Sequence, residues 1–194
     1  MTSPAQKSIP RALATIFLDR DGVLNRKVPE GSFVRSPGDF HVLPHVPEAI
    51  ARLNQAGVCV VVVSNQRGIA LGLYSAADVQ AIHSEFQRTL SAHGAHIDAF
   101  FICPHDRGQC NCRKPLPGLF EQAVAQFPAT TTASSVMIGD SLVDIEFACR
   151  LGMTAILIDS NSENQAPGIE SAQKMADFRF PSFPAAVSAL LDGR

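Results

Sequence analysis

The sequence predicts a doubly wound α/β fold: one parallel sheet with helices on both faces, three layers deep. Three features carry that prediction. Short apolar runs alternate with segments of helical periodicity along most of the chain. The apolar runs lack the in–out alternation of a strand with one wet face, so they read as strands covered on both sides. The polar turns that follow them hold the clustered acids, bases and thiols, at the edge where open α/β sheets bind ligands.

Residues 14–18 (ATIFL) are the first strand. Residues 26–45 contain three prolines, two glycines and scattered charges, and read as a long loop or flap. Val46, Ala49, Ile50, Leu53 and Ala56 then recur at helical spacing, with Gly57 as the stop. Residues 58–63 (VCVVVV) form the clearest buried strand, ending in the polar turn Ser64-Asn65-Gln66-Arg67-Gly68. Ser75 opens a helix with Asp78 three residues on, close to a capping box, and Val79, Ile82, Phe86 and Leu90 form its buried stripe. A third strand covers residues 99–102, and Leu119, Phe120, Ala123, Val124 and Phe127 mark the next helix. Residues 136–138 run into Gly139-Asp140-Ser141, followed by a helix carrying Leu142, Ile145, Ala148 and Cys149 that stops near Gly152. Residues 155–158 are a fifth strand. Beyond residue 160 the pattern is less regular, with a short apolar piece at 178–180 and a last helix around 185–191. Such strand–helix alternation gives a parallel sheet. Too few residues lie between its elements for a large cap domain.

The 194 residues are 46% hydrophobic and 18% charged, as expected for one compact domain over residues 12–194. Residues 1–11 read as a frayed polar tail. The formal net charge of -2 argues against a nucleic-acid or anionic-membrane surface. No apolar run is long enough to cross a bilayer, and no signal peptide is read, so a cytoplasmic monomer is expected.

Asp19 and Asp21 end the first strand two residues apart. Such carboxylates repel each other, and a hard divalent cation, Mg²⁺ above all, relieves the repulsion. Asp140 and Asp144 begin the helix after the fourth strand, where carboxylates are favoured. Asp144 could cap that helix together with Ser141, or orient a basic group or the metal. Ser64, Asn65, Gln66 and Arg67 offer donors to an anionic ligand, as do Arg113, Lys114 and, from the flap, Lys27. "CPHDRGQCNC" (103–112) sets Cys103, His105, Cys110 and Cys112 at the spacing of a closed, structural Zn²⁺ site. Cys59 and Cys149 read as core residues, Arg20 as structural or solvated. The remaining histidines, His83 among them, read as surface or satisfied positions.

"DRDGVLN", "VVVSNQRG", "CRKP" and "GDSLVDIEFA" resemble, in order, the four motifs of the haloacid dehalogenase-like phosphatases. That resemblance implies a nucleophile at Asp19, a general acid/base at Asp21, and phosphoryl stabilisation by Ser64 and Lys114. It implies Mg²⁺ held by Asp19, the backbone carbonyl of Asp21, and Asp140. The thiol cluster before "CRKP" resembles the zinc-containing branch of heptose-1,7-bisphosphate and histidinol-phosphate phosphatases. "SNQRGIALGLYSAAD" and "SPGDFHVLPHVPEAI" lie closer to the former. Leu71 stands where heptose enzymes tend to carry Arg, Ser141 where some carry Lys, and only four residues separate His105 from Cys110. The implied activity is hydrolysis of a small phosphorylated sugar, heptose bisphosphate first. Histidinol phosphate or a broader set of metabolites is the alternative, and a non-catalytic zinc-stabilised binding module the alternative of another class.

Overall fold

In the computed structural model, residues 9–10, 12–29, 31–160 and 167–192 are described. Every pairing in their six-stranded sheet is parallel, in the order β3-β2-β1-β4-β5-β6. The strands are β1 (Thr15–Leu18), β2 (Cys59–Asn65), β3 (Ala99–Cys103), β4 (Ser135–Gly139), β5 (Thr154–Ile158) and β6 (Phe178–Phe180). The helices are α1 (Val46–Gln55), α2 (Ala76–Ser91), α3 (Gly118–Gln126), α4 (Leu142–Leu151), α5 (Ile169–Met175) and α6 (Phe183–Asp192).

Side chains alternate across each strand, so the sheet feeds two separate cores. Ile16, Leu18, Val60, Val62, Val136 and Ile138 face one way, against α1, α2 and α6. Phe17, Val61, Val63, Met137 and Leu157 face the other way, against α3, α4 and α5. Each such side chain contributes about 1.5–3 kcal/mol by leaving water, and this sets the three-layer register. Leu18 lies beside Val62 of β2 and Ile138 of β4. The residues just past these three strand ends therefore meet at one edge.

Several expectations change. Phe178–Phe180 is a sixth strand pairing with β5, half-buried with Arg179 turned outward. The helix α5 before it was not read; at seven residues it shows too little periodicity. The described residues of 26–45 form the expected long loop, held to the domain at several points. Leu43 N donates to Leu24 O at 2.9 Å, Arg26 N to His41 O at 2.8 Å, and the Phe40 ring packs on Phe86 at 5.0 Å. Cys149 is exposed, not core: α4 turns Ile145, Phe147 and Ala148 inward, and the Cys149 thiol faces Met175 O beside α5. Cys59 is only half-buried. The tail expected over residues 1–11 falls outside the described residues except at 9–10, where Ile9 packs against the core. No helix among the described residues is long and apolar enough to cross a membrane.

His83 departs from a surface role. It is 4% exposed and stacked on Phe100 at 4.2 Å, and its Nε2 has no hydrogen-bond partner among the described residues. Burial, reinforced by the nearby Arg20 charge and partly offset by Asp21, pushes its pKa down to about 3 from 6.5. An unfolded His83 binds a proton below 6.5 that the folded chain refuses. Its contribution to stability is therefore complete above that pH and lost as pH falls toward 3. Urea unfolding should show that His83→Gln shrinks the stability difference between pH 7 and pH 5 by about 2 kcal/mol. An unchanged difference would mean that His83 is charged in the fold.

Candidate active site

Asp19 follows β1 directly, its N–H donating to Ile138 O at 2.9 Å. The chain then turns through Gly22 at φ +92°, where a Cβ would lie 2.0 Å from Asp140 Oδ2. Only glycine lets this turn approach the end of β4 so closely. Lys114 arrives from the loop between β3 and α3. Asn65, the last residue of β2, grips its backbone twice: Asn65 Nδ2 donates to Lys114 O at 3.1 Å, and Lys114 N donates to Asn65 Oδ1 at 3.0 Å. So held, the buried Lys114 ammonium lies 2.8 Å from Asp19 Oδ1 and 2.6 Å from Asp144 Oδ1. Asp144 is fully buried, and Ser141 Oγ donates to its other oxygen at 2.5 Å. Of the two roles left open for Asp144, the structure shows the second: it orients the Lys114 ammonium, while the helix start at Ser141 carries no side-chain cap hydrogen bond.

The Asp21 carboxylate points to the β2 side. Arg20 Nη2 donates to its Oδ2 at 2.9 Å and Asn25 Nδ2 to its Oδ1 at 2.9 Å. Arg20 is 1% exposed and lies 5.7 Å over the Phe40 ring, so its role is structural. Buried Gln66 donates to Ser64 Oγ at 2.8 Å and approaches Asp21 Oδ2 at 3.5 Å.

Three acids, with Lys114 between two of them and Lys27 on the third, leave the edge short of positive charge. Burial is the main cause that lifts Asp19 to about 7; Lys114 opposes it, while Asp144, Asp140 and Asp21 add to it. Burial likewise lifts Asp140 to about 6 against the pull of Lys27. Lys114 is raised above its usual range, because Asp144 and Asp19 outweigh the cost of burying it. Carboxylate oxygens of Asp19, Asp140 and Asp144 lie within 4.8 Å of one another. Lys27 already sets a cation 2.5 Å from Asp140 Oδ2. Hard oxygen donors with unbalanced negative charge fit a Mg²⁺-sized ion.

Cys103, His105, Cys110 and Cys112 also converge within 4.8 Å. Their contacts, from 3.3 Å (His105 Nδ1 to Cys112 Sγ) to 3.8 Å (Cys103 Sγ to His105 Nδ1), suit a tetrahedral shell. Bonds of about 2.3 Å give thiolate edges of about 3.8 Å. Beside the cluster, Arg67 Nε pairs with Asp106 Oδ1 at 2.5 Å, tying this loop to the turn after β2.

The edge thus gathers Asp19, Ser64, Lys114 and Asp140, with Asp21 adjacent. It does not leave all five expected substrate contacts free. Asn65 braces Lys114, Gln66 braces Ser64, Arg67 is paired with Asp106, and Lys27 lies on the Asp140 side. Arg113 alone among them keeps a buried donor, Nη1, without a partner among the described residues. Asn25, Asp106 and Tyr74 belong to the site's framework and were not read from sequence. All three lie inside stretches singled out above, Asn25 in "DRDGVLN", Asp106 in "CPHDRGQCNC" and Tyr74 in "SNQRGIALGLYSAAD", but nothing local marks them as framework residues.

Asp144→Asn would leave the buried ammonium with a neutral neighbour. Unfolding in urea should show a loss on the order of 3 kcal/mol. A loss under about 0.5 kcal/mol would mean that the pair contributes little.

A HAD-hydrolase-like family model matches residues 111–185. The chain is 43% identical over 141 residues to D-glycero-alpha-D-manno-heptose-1,7-bisphosphate 7-phosphatase of Mycobacterium tuberculosis, covering 72% of this chain and 74% of that one. It is 41% identical over 149 residues to the Bordetella bronchiseptica phosphatase named for the beta anomer, covering 76% and 81%. The crystal structure of D,D-heptose 1,7-bisphosphate phosphatase from B. bronchiseptica, complexed with magnesium and phosphate, superposes with a TM-score of 0.81 at 34% identity. That match covers 93% of this chain and 99% of the other. With four motifs meeting at one sheet edge and relatives this similar over most of their length, the chain belongs to the haloacid dehalogenase-like phosphatases, in the branch of the heptose-1,7-bisphosphate 7-phosphatases.

Proposed function

We propose that the protein removes the 7-phosphate of D-glycero-D-manno-heptose 1,7-bisphosphate through an aspartyl-phosphate on Asp19. The observation that carries this reading is the Lys114 ammonium held between Asp19 and Asp144 at the mouth of the sheet, with Asp140 beside them. An Asp19 carboxylate oxygen attacks phosphorus while the bond from phosphorus to the sugar oxygen breaks. Asp21 gives its proton to that oxygen, then takes one from the water that attacks the acyl phosphate, releasing phosphate and restoring Asp19. Ser64 and Lys114 meet the phosphoryl oxygens, where charge must be neutralised. Arg113, with its unpartnered Nη1, is the donor best placed to read a second anionic group. Asp19, the Asp21 carbonyl and Asp140 would hold Mg²⁺, which supplies further charge neutralisation at the phosphate when bound. The magnesium and phosphate of the Bordetella relative's structure support this. The four-ligand cluster would hold a structural Zn²⁺, keeping the loop that delivers Arg113 and Lys114 in shape. Cysteines gathered as metal ligands rather than joined in disulfides support a reducing, cytoplasmic setting.

A phosphate-release panel with both heptose bisphosphate anomers, histidinol phosphate and a 3′-phosphorylated oligonucleotide tests the substrate. One heptose anomer should give the highest kcat/KM with Mg²⁺ present, and Asp19→Asn should release no phosphate. A preference for histidinol phosphate would displace the sugar, and turnover by Asp19→Asn would remove the covalent step. Metal analysis should find about one Zn²⁺ per chain, lost in Cys110→Ser. Full activity in a zinc-free preparation would leave the cluster without that role.

A further inference from the structure

The orientation of one buried amide decides what Ser64 can offer a phosphate. Ser64 and Gln66 are 1% and 2% exposed, and Gln66 Nε2 donates to Ser64 Oγ at 2.8 Å. With an N–H already on its oxygen, the hydroxyl keeps its own proton for another acceptor. Turned over, the amide would present Oε1 instead and take that proton from Ser64. It would also set Oε1 against Asp21 Oδ2, which Nε2 now approaches at 3.5 Å.

Tyr74, the only tyrosine of the chain, sets this orientation. Its hydroxyl donates to Gln66 Oε1 at 2.8 Å. A phenol could accept from the amide equally well, but the Asp21 carboxylate takes only a donor, so Nε2 stays on the Asp21 side and Oε1 receives the Tyr74 hydroxyl proton. The ring passes so close to Gly68 that a Cβ there would lie 2.0 Å from Tyr74 Cε1. From the loop before α1, Phe33 packs against the ring at 5.9 Å. The residue is buried between these contacts, and its hydroxyl is spent on Gln66.

We propose that Tyr74 is a positioning residue for phosphoryl transfer: it holds the Gln66 amide so that the Ser64 hydroxyl stays a hydrogen-bond donor to the substrate phosphate. This rests on the assignment of Ser64 to the phosphoryl oxygens. Tyr74 touches no substrate; it acts through Gln66 and then Ser64.

A double-mutant cycle tests it, with kcat and KM measured on heptose 1,7-bisphosphate and, as a second probe, p-nitrophenyl phosphate. Tyr74→Phe keeps the ring contacts and removes only the hydroxyl. It should lower kcat about tenfold, roughly one hydrogen bond's worth, with KM changed less than about twofold. In a Ser64→Ala background the same substitution should cost nothing more. Unchanged kcat in Tyr74→Phe, or an equal loss in both backgrounds, overturns the proposal while leaving Ser64 in place. Normal turnover by Ser64→Ala removes the Ser64 assignment and this inference with it. Gln66→Met, which removes the amide and nearly preserves volume, runs through the same cycle. It keeps the proposal refutable if thermal unfolding shows that Tyr74→Phe does not fold.

Discussion

The structure depends on one buried ammonium. Lys114 lies between Asp19 and Asp144 with almost no exposure, and without it their carboxylates would face each other in a low dielectric. Two ammoniums, Lys114 and Lys27, do not balance the three acids. The remaining negative charge, with burial, lifts Asp19 and Asp140 above the usual carboxylate range, and the same imbalance makes the edge attractive to a divalent cation. Stability of the unloaded edge and affinity for a metal therefore pull against each other, a common state of affairs where function is built into a fold.

Much of the surrounding chain serves to deliver that ammonium. Lys114 sits in a loop, where backbone position is weakly determined by sheet packing. Two hydrogen bonds from Asn65 transfer the rigidity of β2 to it. The thiol–imidazole cluster lies immediately before it in sequence, and the Arg67–Asp106 pair ties that cluster's loop back to the turn after β2. Gly22 completes the arrangement from the other side, letting the turn after β1 pass against Asp140. These ties come from different strand ends, and only the parallel register brings those ends level.

The residues after β2 show how a polar turn divides its labour. Ser64, Asn65 and Gln66 carry short polar groups and lie close to the sheet, so they bond to neighbours below the surface. Arg67 is longer and reaches across to Asp106, while Leu71 and Leu73 remain exposed at the rim.

The apolar runs and the helical periodicity determined the parallel α/β architecture, because strands buried on both faces and helices buried on one leave different patterns. Motif spacing also determined which residues would gather, since Asp19, Ser64, Lys114 and Asp140 each follow a recognisable strand or cluster. Sequence alone could not show which of two partners a polar side chain takes. Asn65, Gln66 and Arg67 are as suited to a substrate as to a backbone carbonyl, a serine or Asp106, and only the folded distances choose between them. The short edge strand Phe178–Phe180, the burial of His83 and the exposure of Cys149 were likewise tertiary decisions, made by how α2, α4 and α5 rotate against the sheet. Periodicity records that a segment has an inner face. Partner choice depends on contacts between residues distant in the chain, and no local pattern encodes those.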